Sequence, residues 1–365
     1  MNAETFLRMG ENMTRINSLQ ALRALAFLSI LAAHCGCPGV QGALGVSVFF
    51  MLSGFCFAIN YIPKAGRLPA SPVGCVRFAV SKIGKLYVLH LLMIAYKMLF
   101  LWAMPQNAGD IVKLVLQVLL LQSFVPDPYV ISAYNGVSWF LSTYMFVCIA
   151  APFIVRRVAK IEREKRLGAL FVGIIALMAA LAAASPYLTA ALNLDFPTYF
   201  TYYFPPYRML DFTLGVLLGK LYLMHADKRL GASHSLLVAV AAVLCMLIGC
   251  RLYPALPAGF RENLLFVPAS TLLIVLCAFS GDAVQKILSW RPAVWLGDIS
   301  SYAFLIHLNV IETVRYCLNV FEYNRGLTPG RADTAVFLCA TFALTLALSQ
   351  LYAAISKRIK TCPKR

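Results

Sequence analysis

Hydrophobic positions in this chain occur in long blocks, and polar positions are confined mainly to the short connections between them. Eleven apolar segments are visible, and most have the roughly 17–25 residues that a helix needs to cross a bilayer. They cover residues 19–35, 43–62, 86–104, 111–124, 136–155, 167–184, 209–224, 235–251, 263–280, 295–317 and 334–356. The alternating segments of about ten residues that are typical of a transmembrane barrel are not visible. The pattern predicts an all-α polytopic membrane protein built as one helical bundle.

Basic residues are concentrated in a subset of the connections. The clusters lie at residues 64–85, 156–166, 228–229, 286–291 and after 357. The positive-inside rule places these clusters, and the N-terminus, in the cytoplasm. If all eleven apolar segments crossed, however, the cluster at 156–166 would lie outside. One segment before this cluster is therefore predicted not to cross.

The segment 111–124 is the best candidate, because it is short and contains Lys113, Gln117 and Gln122. A segment of this length falls below the roughly 17-residue minimum for a spanning helix. We interpret it as interfacial or re-entrant. The prediction is then a bundle of about ten transmembrane helices with both termini cytoplasmic.

The chain divides into three predicted parts. Residues 1–15 form a cytoplasmic N-terminal segment, residues 16–356 form the membrane domain, and residues 357–365 form a basic cytoplasmic tail. The first apolar segment is interpreted as a retained span rather than a cleaved signal peptide, because a second span follows it at once.

The composition supports a membrane protein and narrows the class of partners. The chain is 61% hydrophobic and 13% charged, whereas soluble domains are about a quarter charged. Its net charge of +17 lies in clusters between spans. This distribution indicates contact with anionic lipid first and an anionic cytosolic substrate second, and not nucleic acid.

The cysteines do not predict a disulfide framework or a metal site. Eleven cysteines are scattered, mostly inside apolar segments, where they behave as small hydrophobic residues. Cys35 and Cys37 follow His34 closely, but the rest of a ligand set is missing. No metal is predicted.

The first span, LRALAFLSILAAH (residues 22–34), contains two residues that are costly in hydrocarbon, Arg23 and His34. Eleven residues advance a helix by three turns plus about 20°, so both side chains project from one face, about 16 Å apart along the axis. Ionisable residues inside spans usually face a bundle interior or a wet cavity and are functional. A snorkelling anchor at Arg23 and a polar helix end at His34 are the alternatives.

The connection before the third span places Lys82 and Lys85 one turn apart. We predict that they form a phosphate clamp at the cytosolic mouth of the cavity that Arg23 also faces. Solvated positive-inside charge is the alternative. The second span contains Gly45, Gly54 and Ser53, and its small residues predict close helix packing.

Six motifs, in order, resemble those of the acyltransferase 3 family of integral-membrane acyltransferases. The resemblance covers roughly residues 16–356. It is carried by Arg23 and His34 within LRALAFLSILAAH, GVSVFFMLSGF (45–55), Lys82 and Lys85 before the third span, WFLSTYMF (139–146), YRMLDFTLGVLLG (207–219) and LGDISSYAFLIHLNVI (296–311). The chain also departs from the family pattern. Lysines replace both arginines of the basic pair, Val88 replaces a proline, and Tyr144 stands where many members have a glutamate.

The resemblance implies transfer of an acyl group, commonly acetyl, from a cytosolic coenzyme A thioester to a hydroxyl. The acceptor is expected to be a cell-surface carbohydrate or a lipid-linked glycan. His34 is the expected general base, while Arg23, Lys82 and Lys85 are expected to bind the acyl-CoA. Acyl-CoA is thus a donor substrate, and no tightly bound cofactor is expected. The expected location is the plasma membrane, as a multi-pass protein of a bacterial inner membrane.

Further polar residues are candidates for an acceptor site or for a structural role. They are Ser53, Trp139, Ser142, Arg208, Asp211 and His307. A local ion pair between Arg208 and Asp211 is one interpretation, since they are three residues apart on a helix. Trp139 is equally consistent with a membrane-interface anchor. Acceptor specificity is predicted to reside in the outer connections 126–137, 186–207 and 319–333, whose aromatics could stack on sugar rings or anchor at the interface.

Two other functional classes remain open from the residues alone. A transporter or flippase would use intramembrane Arg, His, Glu and Asp in a proton relay. The sequence shows no internal repeat that would support an inverted-repeat transporter. A sensor or scaffold without catalysis is the third class.

Overall fold

The computed structural model describes residues 15–100, 105–326 and 334–361. Within these ranges the chain forms helices and no strand, apart from one isolated bridge between Leu230 and Ser280, so the all-α prediction is confirmed. The N-terminal segment up to residue 14, the latter part of the connection 319–333 and the end of the basic tail lie outside the described residues.

The α-helices are numbered in chain order. They are α1 (Asn17–His34), α2 (Gly42–Tyr61), α3 (Pro72–Phe100), α4 (Ala108–Val118), α5 (Pro128–Ile131), α6 (Trp139–Ala159), α7 (Glu164–Ala191), α8 (Pro205–Met224), α9 (Ala232–Leu252), α10 (Ala258–Arg261), α11 (Val267–Phe279), α12 (Asp282–Leu288), α13 (Arg291–Asn324) and α14 (Thr334–Thr361).

Eight helical stretches among the described residues are long and apolar enough to cross a membrane. They are Gly42–Arg67, Pro72–Phe100, Gly136–Ala159, Glu164–Ala191, Ala232–Ala255, Ala258–Phe279, Arg291–Asn324 and Thr334–Arg358. Helices α1 and α8 occupy the two other predicted span positions and are not among the eight. Both are rich in polar residues: α1 contains Arg23 and His34, and α8 contains Arg208 and Asp211. The total of ten spans and the side of the termini remain predictions.

The segment predicted not to cross is too short to do so. Helix α4 has 11 residues, or about 16 Å, against a hydrocarbon core of roughly 30 Å. Its Gln117 is fully buried, donating to the Val130 carbonyl at 2.9 Å and accepting from the Ser138 hydroxyl at 2.8 Å. Fully buried His90, on α3, donates from Nε2 to the Gln117 carbonyl at 3.0 Å. These bonds hold the segment within the protein.

Helices α2 and α13 are the most buried of the eight stretches, whereas α7, α9 and α14 are among the most exposed. The buried centre relies on direct backbone contact between α2 and α8. A Cβ added to Gly54 would lie 1.9 Å from the Phe212 carbonyl oxygen, and one added to Gly215 would lie 1.8 Å from that of Met51. The packing role predicted for Gly54 is therefore confirmed, and the contact holds the bundle centre in place.

Candidate active site

A cavity of about 660 Å³ lies between α1, α2, α3, α6 and α13, and we call it the basic cavity. Arg23, Lys82 and Lys85 all line it. Arg23 lies on α1, and Lys82 and Lys85 lie on α3. The prediction that they face one cavity relied on the membrane topology inferred from the basic clusters. The structure therefore brings together the three residues expected to bind the donor.

Arg23 is held in this cavity by one edge of its guanidinium. Its Nη2 donates to the Ser301 hydroxyl at 2.6 Å, and the side chain is half-buried. Its buried Nε has no hydrogen-bond partner among the described residues. The anchored group thus retains donor capacity for an anionic ligand.

The two lysines are held less tightly than Arg23. Lys82 is exposed, and its ammonium donates to the Tyr61 hydroxyl while lying 4.9 Å and 4.8 Å from the ring centres of Tyr61 and Phe78. Such cation–π contacts favour a cation at this position. Lys85 is half-buried. Their ammonium groups act as point charges and lack the planar fork of arginine.

One acidic residue in the basic cavity was not predicted. Asp298 lines the cavity, and its carboxylate accepts a hydrogen bond from Arg15, with which it forms an ion pair. The pairing offsets the negative charge of Asp298. The cavity as a whole keeps its positive character.

His34 lies in a separate, smaller space of about 220 Å³, which we call the histidine pocket. Its other walls include Ser132 and Gly136 from the connection before α6, and Tyr202 and Tyr203 from the connection before α8. Two of the three connections predicted to carry specificity therefore meet at His34. The His34 side chain retains exposed surface.

His34 is hydrogen-bonded to a second histidine, His307, which is fully buried. His307 Nε2 lies 3.1 Å from His34 Nδ1, and His307 Nδ1 lies 2.7 Å from the Phe304 carbonyl oxygen. A carbonyl only accepts, so Nδ1 of His307 carries a hydrogen and Nε2 of the neutral ring is an acceptor. His34 Nδ1 is therefore the donor in the pair. This arrangement leaves Nε2 of neutral His34 with a free lone pair.

Aromatic rings form one wall of the histidine pocket. The Trp139 ring centre lies 5.0 Å from that of Tyr202 and 4.9 Å from that of Tyr203. These distances fall in the range of favourable aromatic contacts. Trp139 is only 6% exposed, whereas an interface anchor would face lipid and headgroups.

A buried ion pair supports this aromatic wall from behind. Arg208 Nη1 lies 3.1 Å from Asp211 Oδ2, and both side chains are fully buried. The interpretation as a local ion pair is thus confirmed by the geometry. Arg208 Nε also donates to the Tyr202 carbonyl at 2.7 Å, and its guanidinium lies 4.7 Å from the Tyr202 ring centre. Asn263 donates to Asp211 Oδ2 at 2.7 Å and completes the support.

The two candidate serines lie in different surroundings. Ser53 lines the basic cavity, and its hydroxyl donates to the Phe49 carbonyl at 2.7 Å. Ser142 lines neither space; its hydroxyl donates at 2.7 Å to the carbonyl of Leu120, a residue with φ of 57°. The geometry therefore gives Ser142 a structural contact at the end of the α4 segment.

Three further residues in or beside the site were not among the predicted site residues. Phe304 lines both the basic cavity and the histidine pocket. Tyr144 lines the basic cavity and stacks on Phe140 at 5.9 Å. Buried Asn135 donates to the Leu305 carbonyl at 2.9 Å and holds the loop before α6 against α13. For Phe304, the available signal was its place one turn before His307.

No group of three or more His, Cys, Asp or Glu residues suited to a metal ion occurs within the described part of the chain. What this site offers instead is a cationic cavity and a hydrogen-bonded imidazole in a neighbouring pocket. Such a pair suits binding of an anionic group and proton transfer nearby.

Comparison with known proteins agrees with this chemistry. The acyltransferase 3 family, described as an acyltransferase domain, matches residues 16–354. A curated relative, "Acyltransferase MdmB" of Streptomyces mycarofaciens, is 27% identical over 375 residues, covering 95% of this chain and 89% of the relative. No solved structure matches the chain. Since the family match extends over most of its length, the chain belongs to the acyltransferase 3 family of membrane-associated acyltransferases.

Proposed function

We propose that this protein transfers an acyl group, most simply acetyl, from cytosolic acyl-CoA to a hydroxyl of a cell-surface carbohydrate or lipid-linked glycan. The proposed location is the plasma membrane. One observation carries the proposal: Arg23 and His34 lie on the same helix, one in the basic cavity and the other in the histidine pocket. A cation and an imidazole are thereby aligned along α1, which supports a phosphate-binding role for the first and a base role for the second.

The donor suits the basic cavity because its phosphates are multiply negative and remain at the cytosolic face. Arg23, Lys82 and Lys85 provide cations for them, and Arg23 also offers an unused Nε–H. The eleven residues from Arg23 to His34 correspond to about 16 Å of helix. That distance is comparable to the reach of a pantetheine arm, which would carry the thioester toward His34.

His34 suits the role of general base. Its Nε2 takes the proton of the acceptor hydroxyl as the hydroxyl oxygen attacks the thioester carbonyl carbon. The carbon–sulfur bond then breaks, the ester remains on the acceptor, and the CoA thiolate takes the proton from the imidazolium. Throughout, Nδ1–H of His34 donates to His307 Nε2, which stabilises the charged ring and fixes its orientation.

The acceptor suits the aromatic wall of the histidine pocket. Trp139, Tyr202 and Tyr203 offer ring faces and hydroxyls, a combination that packs against the apolar face of a sugar and hydrogen-bonds to its edge. The pocket's volume of about 220 Å³ is below the roughly 300–1,000 Å³ of typical ligand pockets, which favours contact with a small part of the acceptor.

The decisive experiment uses the full chain purified in lipid nanodiscs with radiolabelled acetyl-CoA. Release of CoA thiol that depends on an added glycan, with label recovered as an ester on that glycan, is the expected result. A flippase would instead move a labelled lipid-linked substrate across proteoliposomes without consuming thioester. That outcome would overturn the proposal.

A further inference from the structure

The basic cavity and the histidine pocket are neighbours, yet they are separate spaces. Phe304 lines both of them, and no other described residue lines both. The donor cations thus line one space, the proposed base lines the other, and Phe304 is the described residue that the two spaces share.

The boundary between the two spaces crosses four helices. On each helix, one residue lines the histidine pocket and another lines the basic cavity. The pairs are His34 and Arg23 on α1, Val46 and Phe49 on α2, Trp139 and Tyr144 on α6, and Leu308 and Ser301 on α13. The boundary is therefore a layer across the bundle and not a local irregularity.

Three phenylalanine rings at this boundary contact one another, and we call them the aromatic partition: Phe49, Phe140 and Phe304. The ring centres of Phe49 and Phe140 are 6.1 Å apart, those of Phe49 and Phe304 are 6.1 Å apart, and those of Phe140 and Phe304 are 5.1 Å apart. Each pair is in direct aromatic contact. Phe304 is only 5% exposed.

These three rings lie where the residues of the basic cavity meet those of the histidine pocket, so their separation would join the two spaces. Side-chain rotation of Phe304 would open the layer without any movement of α13, because a rotamer change leaves the helix backbone in place. Its backbone carbonyl, which accepts the hydrogen bond from His307, stays in the helix. The hydrogen bond that orients His307 would therefore remain while the ring moves, and the contact between the Phe304 and His307 rings, whose centres are 5.7 Å apart, would be lost.

We propose that Phe304 is the movable element of the aromatic partition and that its ring decides which acyl groups reach His34. This inference rests on the proposed function of the two spaces. The closed partition keeps water and the histidine pocket away from the thioester. Rotation of Phe304 then opens a gap bounded by Phe49 and Phe140, and this gap admits small acyl groups more readily than large ones.

The test compares Phe304→Ala, Phe304→Leu and Phe304→Trp with a matched control, Phe55→Ala. Phe55 is fully buried on α2 but lines neither space. Two quantities are measured in nanodiscs: CoA release without any acceptor, and the kcat/KM ratio for hexanoyl-CoA against acetyl-CoA with acceptor present. Size-exclusion elution and acyl-CoA binding are checked for every variant.

Phe304→Ala is expected to raise acceptor-free hydrolysis and the hexanoyl-to-acetyl ratio several-fold, with Phe304→Leu showing a smaller rise. Phe304→Trp is expected to lower the ratio while acyl-CoA still binds, and Phe55→Ala is expected to change neither quantity. Folded Phe304 variants with wild-type ratios and hydrolysis would overturn the partition while leaving the proposed function in place. A wild-type protein that neither binds nor consumes acyl-CoA would overturn both.

Discussion

The basic cavity and the histidine pocket use different physics to hold their functional groups. In the basic cavity the cations are exposed or half-buried, and Lys82 is placed mainly by aromatic rings and one hydroxyl. In the histidine pocket, His34 is oriented by a hydrogen bond to a fully buried His307, whose own orientation is fixed by a backbone carbonyl. One region depends on charge and the other on geometry.

This difference sets what each region can tolerate. Charge acts at a distance, so a cation can move or be replaced by another cation with a modest loss of binding. A base must lie within hydrogen-bond reach of the proton it removes, so its orientation leaves little freedom. Changes in the histidine pocket should therefore act on kcat, whereas changes in the basic cavity should act on the donor KM.

The largest effect is expected for His34→Ala. The variant loses the proposed general base, a contribution that is typically about 10²–10⁴-fold in rate, while Arg23 and the lysines still bind the donor. We expect kcat to fall by this amount with acyl-CoA affinity unchanged, measured by ester formation and by binding of a non-hydrolysable acyl-CoA. His234→Ala, an exposed histidine that lines neither space, is the control. Wild-type turnover in His34→Ala would show that His34 is not the general base.

A smaller loss is expected when the positioning histidine is changed. His307→Leu removes the acceptor for His34 Nδ1–H, and a hydrogen bond to a charged group contributes about 1.5–3 kcal/mol, or roughly ten- to a hundredfold in rate. We expect kcat to fall by that factor while the donor KM stays constant. His307→Gln should restore part of the activity, because its side-chain oxygen can accept the same hydrogen bond. Equal activities of the two folded variants would indicate a packing role alone.

The sequence was sufficient to predict the features that depend on local periodicity. Helix spacing places Arg23 and His34 on one face, and in the structure both donate to residues of α13, Ser301 and His307. Hydropathy together with the basic clusters identified the short α4 segment. Trp139, at the start of α6, lies on the His34 side and Tyr144 on the Arg23 side. The resulting direction of α6 agrees with a topology in which 111–124 does not cross.

Features that depend on the packing of distant helices were not predictable. The contact between His34 and His307 joins residues 273 positions apart, and no spacing rule brings them together. Residues close together in one motif can also differ in a way that the sequence does not predict. Trp139 lines the histidine pocket, but Ser142, one turn later, contacts the Leu120 carbonyl instead. The position of Phe304 between the two spaces likewise depends on the packing of several helices and has no signature in the sequence.

In the basic cavity, the largest effect is expected for Arg23. Arg23→Ala removes an anchored guanidinium with an unused donor, so we expect the donor KM to rise about tenfold or more, the equivalent of 1.5–3 kcal/mol for a charged hydrogen bond. Arg23→Lys should lie between wild type and Arg23→Ala, because the charge remains and the planar fork is lost. The measurement is donor titration at saturating acceptor. A fall in kcat with an unchanged donor KM would contradict the clamp.

The smallest effect, and the sharpest test of the contrast between the two regions, is expected for Lys82. Its ammonium is exposed, so Lys82→Ala should raise the donor KM by no more than about fivefold, since exposed ion pairs contribute about 0–1 kcal/mol. The loss should shrink as salt is raised toward 1 M, where the Debye length is about 3 Å. The kcat loss of His34→Ala should not change with salt. Lys228→Ala, another exposed lysine that lines neither space, is the control for net charge. A salt-independent loss in Lys82→Ala would mean that Lys82 acts through a specific contact, and the division between charge and geometry would fail at that residue.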